Sequence, residues 1–344
     1  MIVIDGSHGE GGGQILRTSL ALSLVTGRSF RIENIRAGRK KPGLMRQHLA
    51  AVNAAAEVSN AKVAGNTIGS KNFSFEPDSI RPGKYHFAVG TAGSSTLVFQ
   101  TILPALIMAD GASEVVLEGG THNPYAPPFD FLRNSFLKIL NRMGPVVETE
   151  LQKPGFYPAG GGRFSASIQP VPLKKIELNE RGPIIQKRAN AVVANLSIGI
   201  AHRELKMVRK TLAWDDDCLS ASEVNDSDGP GNILTITVES ENITEVFTGF
   251  GERGVSAENV AKKVIKQVQA YLSADVPVGN FLADQLLIPI ALAGEGSYRT
   301  LTPSPHTLTN IDIIRKFINI EINSKQVGQQ QWEIAVGCSH KISK

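Results

Sequence analysis

Three segments of this chain open on glycine and run directly into a helix that is apolar on most of its faces. They are Gly13 to Leu22, Gly93 to Leu106 and Gly279 to Leu292. A helix without a broad polar face must be covered on more than one side, so it belongs between layers rather than on a surface. The second and third carry Pro104 and Pro289 at closely matching places, which predicts a shared kink. Each is followed about 30 residues later by a second helical pattern, over 44–56, 129–140 and 311–317. Between the helices lie β-rich runs such as 29–35 and 113–118. Two helices and several strands, repeated three times, predict an α/β layer architecture.

The repeat is unevenly spaced. Gly13 and Gly93 are 80 positions apart, whereas Gly93 and Gly279 are 186 apart. The excess is about 100 residues, the size of one small domain. We therefore expect a large domain over 1–181 and 276–344, with a smaller α/β domain over 182–275 inserted between the second and third units. The insert has its own complement: a strand over 191–198, the charged stretch Arg203-Glu204-Leu205-Lys206, a turn over 228–232, a strand over 233–239 and a helix over 257–272.

Composition fits that layout, since 344 residues at 42% hydrophobic and 20% charged can bury a large core and a second, smaller one. The net charge of +4 permits a nucleic-acid partner without requiring one. Cys218 and Cys338 have no metal-ligand spacing and form no disulfide framework, which predicts a reducing, cytoplasmic setting. No secretory leader is legible over 1–6. The longest apolar stretch, 97–109, is broken by Gln100, Thr101 and Pro104 and is too short to span a bilayer.

Several motifs carry chemical content. Asp5-Gly6-Ser7-His8-Gly9-Glu10-Gly11-Gly12-Gly13-Gln14 is a glycine-rich loop between a strand and a helix, where backbone N–H groups can approach an anion. It is not a P-loop, because no Gly-Lys-Ser/Thr follows. Glu10 within it can hold a divalent cation or a ribose hydroxyl. Arg36, Arg39, Lys40, Lys41 and Arg46 place five cations within eleven residues, as on a phosphate-binding rim or a solvated basic loop. Gly90 to Thr96 is a hydroxyl-rich helix start suited to phosphate. Gln100, on the apolar helix after it, needs a partner if buried. Asp284 sits in the third apolar helix and, if buried, must be paired or hold a cation. Two rigid loops, 119–128 and 157–162, are fixed by proline and glycine. In Ser304 to Ile311 a histidine stands between a proline-containing turn and a helix start, with Thr309 as expected N-cap and Asp312 as its reciprocal partner. The positive end of the helix dipole disfavours imidazolium, and a neutral imidazole is what a nucleophile requires.

Taken in order, Gly-Glu-Gly-Gly-Gly-Gln from Gly9, Arg-Ala-Gly-Arg from Arg36, Lys41-Pro42-Gly43-Leu44, Tyr157-Pro158-Ala159-Gly160-Gly161-Gly162, Leu282-Ala283-Asp284-Gln285 and Pro303-Ser304-Pro305-His306 resemble the RNA 3′-terminal phosphate cyclase family from about residue 2 to residue 317. The resemblance implies three α/β units, each with two helices on a four-stranded sheet, and a smaller inserted α/β domain. It implies a ligase of RNA processing that uses ATP and a divalent cation, Mg²⁺ or Mn²⁺, to turn an RNA 3′-phosphate into a 2′,3′-cyclic phosphodiester. His306 would form a covalent adenylate, pyrophosphate would leave, AMP would pass to the RNA phosphate, and the 2′-OH would close the ring and release AMP.

By the same resemblance Glu10, Arg36 and Arg39 join His306 in catalysis, and Glu10 and Asp284 serve the cation. ATP is held by Gln100 and Arg17 at the phosphates, by Phe281 and Pro127 at the adenine, and by the segment Leu282, Ala283, Asp284 and Gln285. Phe281 stands where other members can carry tyrosine, and Pro305 where other small residues occur. The tail from Gly337 to Lys344 matches nothing in the family. An RNA-binding scaffold of this fold would lack the histidine, and an enolpyruvyl transferase would have no use for it. A homodimer through an exposed sheet edge is possible on this architecture.

Overall fold

The computed structural model of the chain describes residues 1–9 and 11–337; Glu10, Cys338 and the rest of the tail lie outside them. The first unit runs β1 (Ile2–Asp5), α1 (Gly13–Thr26), β2 (Phe30–Glu33), α2 (Arg46–Ser59), β3 (Lys62–Ala64) and β4 (Phe73–Glu76). The second runs β5 (Lys84–Ala88), α3 (Ser95–Leu106), β6 (Ser113–Gly119), a broken helix, β7 (Val146–Lys153) and β8 (Gly162–Gln169). That broken helix consists of α4 (Phe129–Phe131), a π-helical turn (Leu132–Phe136) and α5 (Leu137–Arg142). After β9 (Glu177–Leu178) come β10 (Ile184–Ala194), α6 (Gly199–Leu212), β11 (Leu219–Val224), β12 (Gly231–Ser240), β13 (Thr244–Phe250) and α7 (Ala257–Ala274). The chain closes with α8 (Asn280–Ala293), β14 (Gly296–Thr300), α9 (Pro305–Phe317), β15 (Ile322–Gln326) and β16 (Trp332–Val336).

Three of the four sheets share one strand order. They are β1-β2-β4-β3, β5-β6-β8-β7 and β9-β14-β16-β15: first, second, fourth, third. In each, the first two strands pair in parallel across a helical crossover, and the later pairings are antiparallel. β9 pairs with β14, so the extra residues follow the first strand of the third unit. They interrupt that unit rather than separating it from the second. The fourth sheet, β11-β10-β12-β13, lies wholly within the extra stretch.

The glycine-led helices α1, α3 and α8 bury residues all round, including Leu16, Leu20, Phe99, Ile102, Leu282, Leu286 and Ile290. These side chains form one apolar cluster with the inner faces of the first three sheets. Each fully buried aliphatic side chain there contributes about 1.5–3 kcal/mol. α1 packs on both α3 and α9, and α8 packs on α9. This arrangement brings the N-terminal turns of helices from distant parts of the sequence to one place. A second cluster, including Ala191, Val193, Leu205, Val208, Leu234, Ile236 and Val264, joins α6 and α7 to the fourth sheet. Among the described residues no helix is long and apolar enough to cross a membrane.

Three local expectations change. α9 begins at Pro305 and is capped by Ser304, whose Oγ accepts the Thr307 N–H at 3.1 Å. Thr309 is therefore inside the helix, where its hydroxyl donates to the Pro305 carbonyl at 2.8 Å. The charged stretch 203–206 belongs to α6, because Ala201, Leu205 and Val208 recur on one buried face. The strand expected over 191–198 lies earlier, as β10, because its alternate residues Ala189, Ala191 and Val193 face the second core.

Candidate active site

His306 is the second residue of α9, exposed, directly after the N1 proline. Its ring is set by Gln14, in the first turn of α1. Asp284, one turn into α8, accepts a hydrogen bond on Oδ1 from the Gln14 side-chain amide nitrogen at 2.8 Å. That nitrogen also donates to the His306 carbonyl at 3.2 Å. A carboxylate and a carbonyl accept only, so the NH₂ end of Gln14 must face them. Gln14 Oε1 then faces His306 Nδ1, and the two make a short hydrogen bond. An amide oxygen accepts, so Nδ1 carries the proton and the imidazole lone pair is on Nε2.

Asp284 is held in turn. Asn310, one turn beyond His306 on α9, donates its amide to Asp284 Oδ1 and receives the Thr18 hydroxyl at 2.6 Å. Gln285 donates to Asp284 Oδ2 at 3.2 Å. Tyr298, fully buried, donates to the Ala283 carbonyl at 2.6 Å and fixes the start of α8. Sequence reasoning assigned no role to Gln14, Thr18 or Asn310. The available signal was a buried polar side chain on an otherwise apolar helix face.

Cations flank the cluster. Arg17 is half-buried one turn along α1; desolvation lowers its pKa to about 10, opposed by the nearby Asp284 charge, and it stays cationic at neutral pH. A Cβ on Gly13 would collide with the His48 ring at Nε2 and lie 2.8 Å from the Arg17 guanidinium, so a larger residue would have to push both side chains aside. Burial, then Arg17 and Arg36, hold the His48 pKa down to about 3. His48 is therefore neutral, and its Nδ1 accepts the Met45 N–H at 3.0 Å. The exposed Arg39 guanidinium lies against Gly12, the N-cap of α1, at 3.1 Å from where a Cβ would stand. Arg36 has a left-handed φ of 55° and donates to the carbonyls of Lys41 and Gly43 at 2.6 and 2.9 Å, bracing the loop that carries Arg39. The Arg36 pKa is lowered by burial and then by Arg39.

His8 reaches Asp312 at 3.1 Å, and Gly9 packs on Thr309, so the glycine-rich loop is seated on α9. Glu10 lies outside the described residues. Among the described residues no group of three His, Cys, Asp or Glu side chains could hold a metal ion. Phe281 is exposed on the first turn of α8, whereas the side chains of Leu282 and Ala283 are in the core. Gln100 and Pro127 lie outside the His306 network. The buried Gln100 Nε2 has no hydrogen-bond partner, and the Pro127 carbonyl accepts from Thr96 at 2.7 Å. The hydroxyls at the start of α3 serve the fold: Ser94 caps it, and Ser95 donates to the Gly120 carbonyl at 2.9 Å.

Known proteins resemble this chain along nearly its whole length. The family model described as RNA 3′-terminal phosphate cyclase matches residues 8–324. The RNA 3′-terminal phosphate cyclase of Koribacter versatilis (strain Ellin345) is 51% identical over 329 residues, 95% of this chain and 93% of its own. That of Ectopseudomonas mendocina (strain ymp) is 47% identical over 329 residues, 96% of each chain. That of Ralstonia nicotianae (strain ATCC BAA-1114 / GMI1000) is 50% identical over 323 residues, 93% of this chain and 92% of its own. A solved enolpyruvyl transferase, NikO from Streptomyces tendae, aligns with 97% of this chain and 48% of its own at a TM-score of 0.39 and 12% identity, too low for any argument from fold or function. By the family match and by identities of 47–51% to these relatives, the chain belongs to the RNA 3′-terminal phosphate cyclase family.

Proposed function

We propose that His306 is the covalent nucleophile by which this enzyme, a ligase, performs the ATP-dependent cyclisation of an RNA 3′-phosphate. The observation that carries the reading is the orientation of Gln14. Asp284 fixes its amide, its amide oxygen fixes the Nδ1–H tautomer, and Nε2 holds the electron pair. Nε2 attacks the α-phosphorus of ATP, a P–N bond forms, and pyrophosphate leaves. An oxygen of the RNA 3′-phosphate then attacks the same phosphorus, the P–N bond breaks, and an RNA-ppA end results. The vicinal 2′-oxygen attacks the terminal RNA phosphorus, loses its proton, and AMP leaves as the ring closes. Covalent catalysis divides one hard displacement into easier ones, and the neighbouring 2′-OH supplies a high effective molarity.

Arg17, Arg36 and Arg39 are assigned to phosphate charge, with Gln100 as a further phosphate contact. Phe281 and Pro127 are assigned to the adenine, and Leu282, Ala283 and Gln285 to the wall around it. Because the Leu282 and Ala283 side chains are buried, their part is to set the backbone of the first turn of α8. A divalent cation, Mg²⁺ or Mn²⁺, would neutralise polyphosphate charge. The carboxylates of Asp284 and Glu10 would hold it, since such ions take oxygen donors, and Asp284 is already set in place by three amide donors. Residues 182–275 are assigned as the inserted domain, supported by the separate core of α6, α7 and their sheet.

The test is incubation with α-labelled ATP and Mg²⁺ or Mn²⁺, followed by a denaturing gel, with His306→Ala alongside. Acid-labile, alkali-stable label on the wild type alone is expected. An unlabelled wild type that still binds ATP would remove His306 as nucleophile.

A further inference from the structure

Two tyrosines lie on the surface where the loops at one end of the second sheet meet. Tyr125 is 97% exposed and Tyr157 is 63% exposed. Tyr125 has a φ of 67°, a left-handed conformation that a bulky residue rarely adopts. Neither phenol makes a hydrogen bond, and neither ring meets another ring, among the described residues.

This exposure does not come from a loose backbone. Thr121 and His122 donate their N–H groups to the Gly155 carbonyl at 2.9 and 3.0 Å, joining the loop of Tyr125 to that of Tyr157. His122 stacks on Phe156 at 5.1 Å and meets Asp130 at 3.1 Å. Asn123 donates to the Ala92 carbonyl, and Gly160 packs against Ala92. The next residue, Gly93, abuts Gln47 at the start of α2, which directly follows the basic segment. A chain of contacts thus runs from the end of that basic segment to the two loops that carry the rings.

A rigidly mounted, unpartnered aromatic whose loop is joined through the fold to a basic segment suits base stacking. Strained backbone positions cluster at ligand sites. We propose that Tyr125 and Tyr157 stack on nucleobases of the RNA near its 3′ end and place the terminal phosphate over the basic rim. The assignment rests on the cyclase reading only for the identity of the strand.

The probe is a 3′-phosphorylated RNA oligonucleotide carrying 2-aminopurine at the last or penultimate position, titrated fluorimetrically without ATP. Quenching by the wild type is expected. Tyr125→Ala and Tyr157→Ala should each weaken binding about tenfold, and Tyr125→Phe and Tyr157→Phe should restore it. The difference between wild type and alanine variants should vanish on RNA that is abasic at that position, which a merely structural role would not produce. Tyr125→Gly should melt above the wild type, because glycine accepts the left-handed φ, while binding RNA as weakly as the alanine variant. Equal affinities of wild type and alanine variants, or a loss that persists on abasic RNA, would overturn the platform. A higher ATP requirement for RNA-free labelling of the protein, with RNA affinity unchanged, would place adenine on the rings instead. Because the titration needs no turnover, quenching by a protein that forms no adenylate would sustain the platform while the His306 mechanism fell.

Discussion

At the scale of single residues the site depends on one amide. Replacing Gln14 by Leu keeps the volume but removes both the acceptor for His306 Nδ1 and the donor to Asp284. The ring then loses the amide that sets its orientation and tautomer, and the rate of histidine adenylylation should fall about 100-fold. Single-turnover labelling with saturating ATP measures it, and an unchanged rate would show that Gln14 does not orient the ring. Gly13→Ala tests the packing behind it. Alanine is the better helix former, yet its Cβ would collide with His48 and Arg17. The expected outcome is a lower melting temperature and a raised KM for ATP; a melting temperature above the wild type would mean that the two side chains move aside at little cost.

At the scale of elements, His306 is only as well placed as the first turn of α9. Ser304 caps that turn, so Ser304→Ala should destabilise the protein by about 1 kcal/mol and Ser304→Asp should restore it. Denaturant melts give the stability, and the labelling rate should track it, since the frayed turn is the one carrying the histidine. The start of α8 is held from the other side. Glu245 on β13 accepts the N–H of Gly279, the N-cap of α8, at 2.6 Å. This carboxyl ties the fourth sheet to the helix that bears Phe281 and Asp284. Burial pushes its pKa up to about 8, opposed by the Gly279 and Val246 N–H groups.

At the scale of the whole molecule, two buried acids lower stability as pH rises, opposed between about pH 3 and 6.5 by His48, whose pKa is held down to about 3. Burial raises Glu204, on α6, to about 7, and Glu245 to about 8. Between about pH 4.5 and those values the folded state holds protons that the unfolded chain releases. Their contribution is therefore fully present below the unfolded pKa and is lost as pH rises through 7 and 8, at up to about 1.4 kcal/mol per pH unit for each group. The melting temperature should fall over this window, and Glu245→Gln and Glu204→Gln should each flatten the fall; an unchanged slope in both variants would mean that neither acid is protonated in the folded protein. The sequence by itself determined the units: glycine-led helices without a polar face must lie between layers, and their recurrence marks three units and an excess of residues before the third helix. Motif order carried the family, and with it His306, Asp284 and the arginines as candidates. Sequence did not reveal that the excess follows β9, because a two-residue strand has no periodicity to read. Nor did it reveal the start of α9, because Ser304 and Thr309 are both competent caps and only packing chooses between them. The contacts of Gln14 with His306 and of Asn310 with Asp284 belong to tertiary structure alone. A side-chain hydrogen bond across 292 or 26 positions leaves no local pattern. It exists because α1, α8 and α9 pack their first turns together, and a buried polar group there must find its partner in whatever the fold brings near.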